Sequence, residues 1–175
     1  IAGSAEIGPF CIVEDRVKIG EGTRLLSHVV VQSGTEIGRN CVISPYASLG
    51  GPPQDITYKG EETVAIIGDN NVIREYVTIN RGTAHGKGIT KVGNNNFIMA
   101  YVHVAHDCTV GNSVIMANCA TLAGHVEVAD HVIFGGLCAV HQFCRIGSYA
   151  FVSGLTGVPK YIPPFIIASG RFDLV

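Results

Sequence analysis

Residues 102–147 read VHVAHDCTVGNSVIMANCATLAGHVEVADHVIFGGLCAVHQFCRIG. Within them an apolar residue returns at every sixth place: Val104, Val110, Met116, Leu122, Val128, Phe134, Val140 and Ile146. A period of six fits neither the 3.6 of a helix nor the 2 of a simple strand, so it marks a repeat architecture. The beat extends outward on both sides. It begins at Ile1 and runs through Ile7, Val13, Ile19, Leu25, Val31, Ile37, Ile43 and Leu49; it returns at Ile67, Ile73 and Ile79, and resumes from Val92 to Val158. Four places after a beat sits a small or branched residue, as at Ala5, Cys11, Val17, Thr23, Val29, Thr35, Cys41 and Ala47. Glycine often follows the beat directly, as in Ile7-Gly8 and Ile146-Gly147. This pattern predicts an all-β fold, a parallel β-helix built as a triangular prism of hexapeptide repeats. Three hexads make one coil, so residues 18 apart stack on one wall about 4.8 Å from each other.

At 175 residues the chain has the size of one domain. Its residues are 47% apolar and 15% charged. No apolar run approaches the roughly 18 residues of a membrane span, and the apolar residues are spaced by polar ones as a continuous solenoid core requires. A formal net charge of −2 argues against nucleic acid as the main partner. No signal-like segment is present, which favours the cytoplasm, although the first residue is Ile rather than Met. Of six cysteines, Cys11, Cys41, Cys108, Cys138 and Cys144 fall four places after a beat, and no C-x-x-C pair occurs. They read as small core residues of a reducing compartment rather than as a disulfide frame or a thiolate metal site.

Two segments break the beat, residues 50–65 (GGPPQDITYKGEETVA) and 82–91 (GTAHGKGITK). Both read as loops leaving the wall, where such insertions often carry binding residues. The prism is expected over 1–158. The remainder, 159–175, is expected to be irregular, because Pro163 and Pro164 cannot donate to a sheet.

Folding the sequence at 18 residues per coil puts His106, His125 and His141 on one face of consecutive coils, with His103 approaching from the preceding hexad. Three readings fit such a row. It could be polar wall residues satisfied by neighbours or water. It could be a histidine metal site, as in the carbonic-anhydrase-like hexapeptide proteins. Or it could be a general base, a neutral imidazole whose tautomer Asp107 holds. A non-catalytic prism serving assembly or binding is the rival from a different class.

The three histidine-bearing stretches, HVAHDCTVGN (103–112), ATLAGHVEV (120–128) and AVHQFCRIG (139–147), together resemble the UDP-N-acetylglucosamine 3-O-acyltransferases of lipid A biosynthesis. The PQD of the first loop and VTINRGT (77–83) resemble them too. The resemblance implies a left-handed parallel β-helix that forms a homotrimer with sites between subunits, working without cofactor or metal in the cytoplasm of a Gram-negative-type bacterium. It implies transfer of a 3-hydroxyacyl chain from acyl carrier protein to the 3-hydroxyl of UDP-N-acetylglucosamine. By motif, His106 would be the base, Asp107 its orienting partner and the Gly124 N–H the oxyanion donor. His103, His125, His141 and Gln142 would position substrate, and Gln54 and Asp55 would approach the sugar nucleotide. Gly154 would set acyl-chain length. The family's C-terminal helical region is expected to have no counterpart within residues 159–175. Thr57, Asn80 and Arg171-Phe172 depart from the lysine, histidine and Asn-His pair seen at those places in many members.

Overall fold

A computed structural model describes residues 1–170; the Arg171-Phe172 pair lies outside the described residues. The sixfold beat becomes 24 short parallel strands, most of two residues, arranged in three sheets of nine, eight and seven strands. The first wall runs from Glu6–Ile7 to Ile167–Ala168, the second from Ile12–Val13 to Gly157–Val158, and the third from Lys18–Ile19 to Arg145–Ile146. Away from the loops, paired residues are 18 apart: Ile98 with Met116, Val104 with Leu122, Val110 with Val128. The fold is the left-handed parallel β-helix that the repeat and the resemblance called for.

A two-residue strand turns one side chain inward and one outward. The beat residues point in, and Leu25, Ile43, Ile73, Ile98, Met116, Leu122 and Phe134 are at most 1% exposed. The small residues four places later fill the corners of the triangle. Thr23, Val29, Thr35, Cys41, Ala47 and Cys108 are fully buried. Burial pushes the Cys108 thiol up to about 12, which suits an inert filler.

Most corners are turned by a residue with positive φ, near 60° at Tyr46, Asn95 and His125. That conformation costs a residue with a Cβ roughly 1–2 kcal/mol, and stacking along each corner offsets part of it. At the corner between the first and second walls, Phe10, His28, Tyr46, Tyr76 and Tyr101 form a ladder of rings with centroids 4.9 to 5.0 Å apart. At the corner between the third and first walls, side-chain oxygens take the backbone N–H of the coil before. Asp69 accepts from Arg39 at 2.7 Å, Asn94 from Asp69 at 2.7 Å, Asn112 from Asn94 at 2.8 Å, and Asp130 from Asn112 at 2.6 Å.

The coil continues past Val158 without the beat. Ile162 bridges Ile146, and Ile167–Ala168 pairs with Phe151–Val152. Pro163 and Pro164 do not prevent this, because they fall at a corner just before Phe165 (φ 60°), where no ladder donor is needed. Both insertions leave from the corner between the second and third walls, in consecutive coils. They are tighter than their breaks in periodicity, since Val64–Ile67 and Ile89–Val92 already pair with one another.

The walls differ on the outside. The first presents Phe97, Ile115, Ile133, Phe151 and Ile167 in one register. The third presents Lys91, Thr109, Glu127 and Arg145. Among the described residues no helix is long and apolar enough to cross a membrane.

Candidate active site

The corner that releases both insertions carries Asp107, His125 and Phe143 in the next three coils, all with φ near 60°. They are 18 residues apart and therefore stack. His125 lies flat on Phe143 with ring centroids 4.5 Å apart, while the His106 ring meets it edge-on at 5.1 Å. His106 stands one place before the corner, so its counterpart in the next coil is Gly124. A Cβ at residue 124 would lie 2.5 Å from His106 Cε1 and 2.7 Å from Nε2. The imidazole thus occupies the space that a side chain there would take. The Gly124 N–H has no protein acceptor among the described residues.

Asp107 is fully buried and fixed by four donors. It accepts the Thr83 hydroxyl at 2.7 Å, the Thr83 N–H at 3.1 Å, the Lys87 N–H at 2.8 Å, and His106 Nδ1 at 2.9 Å. Burial alone would raise its carboxyl, but the Thr83 and His106 hydrogen bonds and the two amides outweigh it, so the group sits below its ordinary value. An ionised carboxylate only accepts, so Nδ1 of His106 carries the proton and Nε2 keeps a free lone pair. Thr83 and Lys87 both belong to the second insertion, whose position beside the wall no periodicity could reveal. Phe143 was readable, since it lies 18 places after His125.

His103 occupies the second wall, with Nδ1 2.7 Å from the Thr78 hydroxyl of the coil before. Burial lowers the His103 and His125 values; proximity to His106 adds to the first, while Asp107 opposes the second. In the first insertion, the amide and hydroxyl of Thr57 each lie 2.7 Å from Asp55 Oδ1. Thr57, rather than being a mere loss of a lysine, therefore locks that carboxylate. Asn80 is buried with its Oδ1 unpartnered. His141 and Gln142 follow the second wall two coils after His103 and are exposed, the His141 ring bonding only to the Gln142 carbonyl at 3.3 Å. Gln54 is likewise exposed. The structure thus brings His106, Asp107, Gly124 and His125 together, while His141, Gln142 and Gln54 are exposed side chains with no hydrogen bond to that cluster among the described residues. Gly154 lines a hollow of about 270 Å³ with Leu155, Thr156, Ser169 and Gly170, at the corner between the first and second walls.

Ligand atoms of His106, Asp107 and His125 lie within 4.8 Å of one another, a spread a metal ion could use. The carboxylate, however, is already saturated by four donors. An ion would have to displace them, so the donor set fits an orienting acid better than a metal ligand.

The class follows from fold and site together: a hexapeptide-repeat transferase, and residues 16–51 and 89–124 match the bacterial transferase hexapeptide (six repeats) family. A relative from Thermodesulfovibrio yellowstonii, an acyl-[acyl-carrier-protein]--UDP-N-acetylglucosamine O-acyltransferase, is 62% identical over 94% of this chain. The solved structure of LpxA from Acinetobacter baumannii superposes with a TM-score of 0.97 at 47% identity over 98% of the chain. A UDP-N-acetylglucosamine acyltransferase from Campylobacter jejuni superposes with a TM-score of 0.82 at 39% identity, the match spanning 95% of this chain and 72% of that one. The chain belongs to the UDP-N-acetylglucosamine acyltransferase family. It spans 64% of the Thermodesulfovibrio relative and 66% of the Acinetobacter one.

Proposed function

We propose that the protein transfers a 3-hydroxyacyl group from an acyl carrier protein thioester to the 3-hydroxyl of UDP-N-acetylglucosamine, the first acylation of lipid A biosynthesis. The observation that carries this reading is the His106–Asp107 pair seated against Gly124. Nε2 of His106 removes the proton from the sugar hydroxyl as the oxygen attacks the thioester carbonyl. The Gly124 N–H stabilises the resulting oxyanion. Collapse breaks the C–S bond, and the proton held on His106 passes to the departing thiolate, which restores the base. A thioester is already activated, so neither metal nor covalent intermediate is needed. A placed base supplies roughly 10²–10⁴-fold and an oxyanion donor roughly 10²–10³-fold.

Asp107 orients the imidazole and favours its protonated form as charge develops. His103, His125, His141 and Gln142 position substrate, and Gln54 and Asp55 approach the sugar nucleotide from the first insertion. Gly154 limits acyl length by leaving its corner open. The homotrimer is the arrangement that would cover the apolar register Ile115, Ile133, Phe151 and Ile167 of the first wall, all exposed in a lone protomer, with half-buried Phe97 beside them. Cytoplasmic action is supported by the six free cysteines.

The test is mass-spectrometric detection of acylated product from UDP-N-acetylglucosamine and 3-hydroxyacyl carrier-protein thioesters of several lengths. Absence of product with every donor would sink the proposal.

A further inference from the structure

The two insertions touch at a contact that this chemistry does not use. His85 Nε2 of the second stands 3.3 Å from Asp55 Oδ2 of the first. On its other side the second insertion is pinned to the wall. The Thr83 and Lys87 amides sit on Asp107, and a Cβ at Gly86 would lie 2.6 Å from Asp107 Oδ2. Lys87 Nζ holds Glu127 at 2.9 Å, and Arg145 Nε holds the other Glu127 oxygen at 3.1 Å. His85 therefore projects from a loop whose flanks are fixed on the aspartate that holds the base.

The first insertion has looser footing. Ile56, next to Asp55, is fully exposed, and the loop's ties lie farther along, where the Tyr58 hydroxyl accepts from Arg81 at 2.9 Å and Glu62 pairs with Arg16 at the surface. Asp55 Oδ1 is already engaged by Thr57. Oδ2 is left facing the second insertion, where His85 Nε2 is its neighbour.

We infer that His85 is a positioning residue: by tying Asp55 to a loop anchored on Asp107, it sets where the first insertion stands over the His106 base, and so the affinity for the sugar nucleotide. The inference rests on the function proposed above. It is specific to the side chain, because an exposed loop histidine aimed away from Asp55 would have no such effect.

The experiment compares His85→Ala and His85→Gln, the latter keeping an N–H donor of similar reach without a ring. Two quantities are read on the whole protein: the Kd for UDP-N-acetylglucosamine by titration calorimetry, and the rate of trypsin cleavage after Lys59 in the first insertion. For an exposed pair of this kind, His85→Ala should weaken binding and quicken cleavage by about two- to fivefold each. The kcat should stay within about twofold, because the base is untouched. His85→Gln should restore both readings. Unchanged cleavage in His85→Ala overturns the inference, as does faster cleavage with unchanged Kd, or a glutamine that restores neither. A wild-type protein that binds no sugar nucleotide sinks the proposed function and the claim on affinity together, and the cleavage rates then still separate a held loop from a loose one.

Discussion

Two aspartates sit at corners of the same prism and do different work. Asp130 closes a ladder in which each side-chain oxygen takes one backbone N–H from the neighbouring coil. It is half-buried and interchangeable in kind with Asn94 and Asn112. Asp107 is fully buried and gathers four donors, three of them from an insertion. The repeat supplies equivalent places; what turns one of them into chemistry is the interruption beside it. The second insertion brings Thr83 and Lys87 to Asp107, and Asp107 then fixes His106.

The sharpest way to break this contrast is at the base itself. His106→Ala should lower kcat/KM by about 10²–10⁴-fold while the thermal midpoint moves little, and steady-state kinetics beside a melting curve checks both. Gly124→Ala comes next. Its new Cβ would fall 2.5 Å from His106 Cε1, so the ring must move. A displacement of that size should cost about 10²-fold in rate with a modest loss of stability. A Gly124→Ala enzyme of normal rate would mean that the ring's seat against the glycine is irrelevant.

The aspartate comparison itself is tested by stability. Asp107→Ala strands the Thr83 hydroxyl and two amides, and should cost about 2–4 kcal/mol in urea unfolding. Asn112→Ala should cost about 1 kcal/mol and leave turnover near wild type. Equal costs would erase the distinction between the corners.

The smallest effect is on pH. His103 and His125 have folded values lowered by burial, so the unfolded chain takes up protons first as pH falls. Their contribution to stability is therefore intact above about pH 6.5 and declines below it. The Asp107 contribution, from a lowered carboxyl, persists above about pH 4 and is lost only under stronger acid. Urea midpoints at pH 8, 6 and 5 should fall in that order, and the fall should shrink in a His103→Gln variant.

Much of the fold was legible because each beat residue has a single inward place, and a step of 18 residues carries Val104 to Leu122 to Val140. The same step sets Gly124 against His106 and Phe143 against His125. It fails where the period fails. Thr83, Lys87 and His85 lie in an insertion, and only coordinates bring them to Asp107 and Asp55. It also stops too early at the far end. Pro163-Pro164 reads as a stop in sequence, yet it lies at a corner that asks for no donor, so the winding goes on to Ala168. His141 shows the limit of placement without side chains: it shares an edge with His106 and His125, but its ring turns out to solvent.

The strand ladder has one more consequence, for how the molecule is made. Among the described residues no pairing joins positions farther apart than 30, the span from Val42 to Val72 across the first insertion (72 − 42 = 30). Nothing in those sheets must wait for a distant part of the chain, so winding can begin during synthesis on the ribosome and advance one turn at a time. Stalled nascent chains of increasing length should gain protease protection in increments of about 18 residues; protection arriving all at once, only at full length, would contradict it.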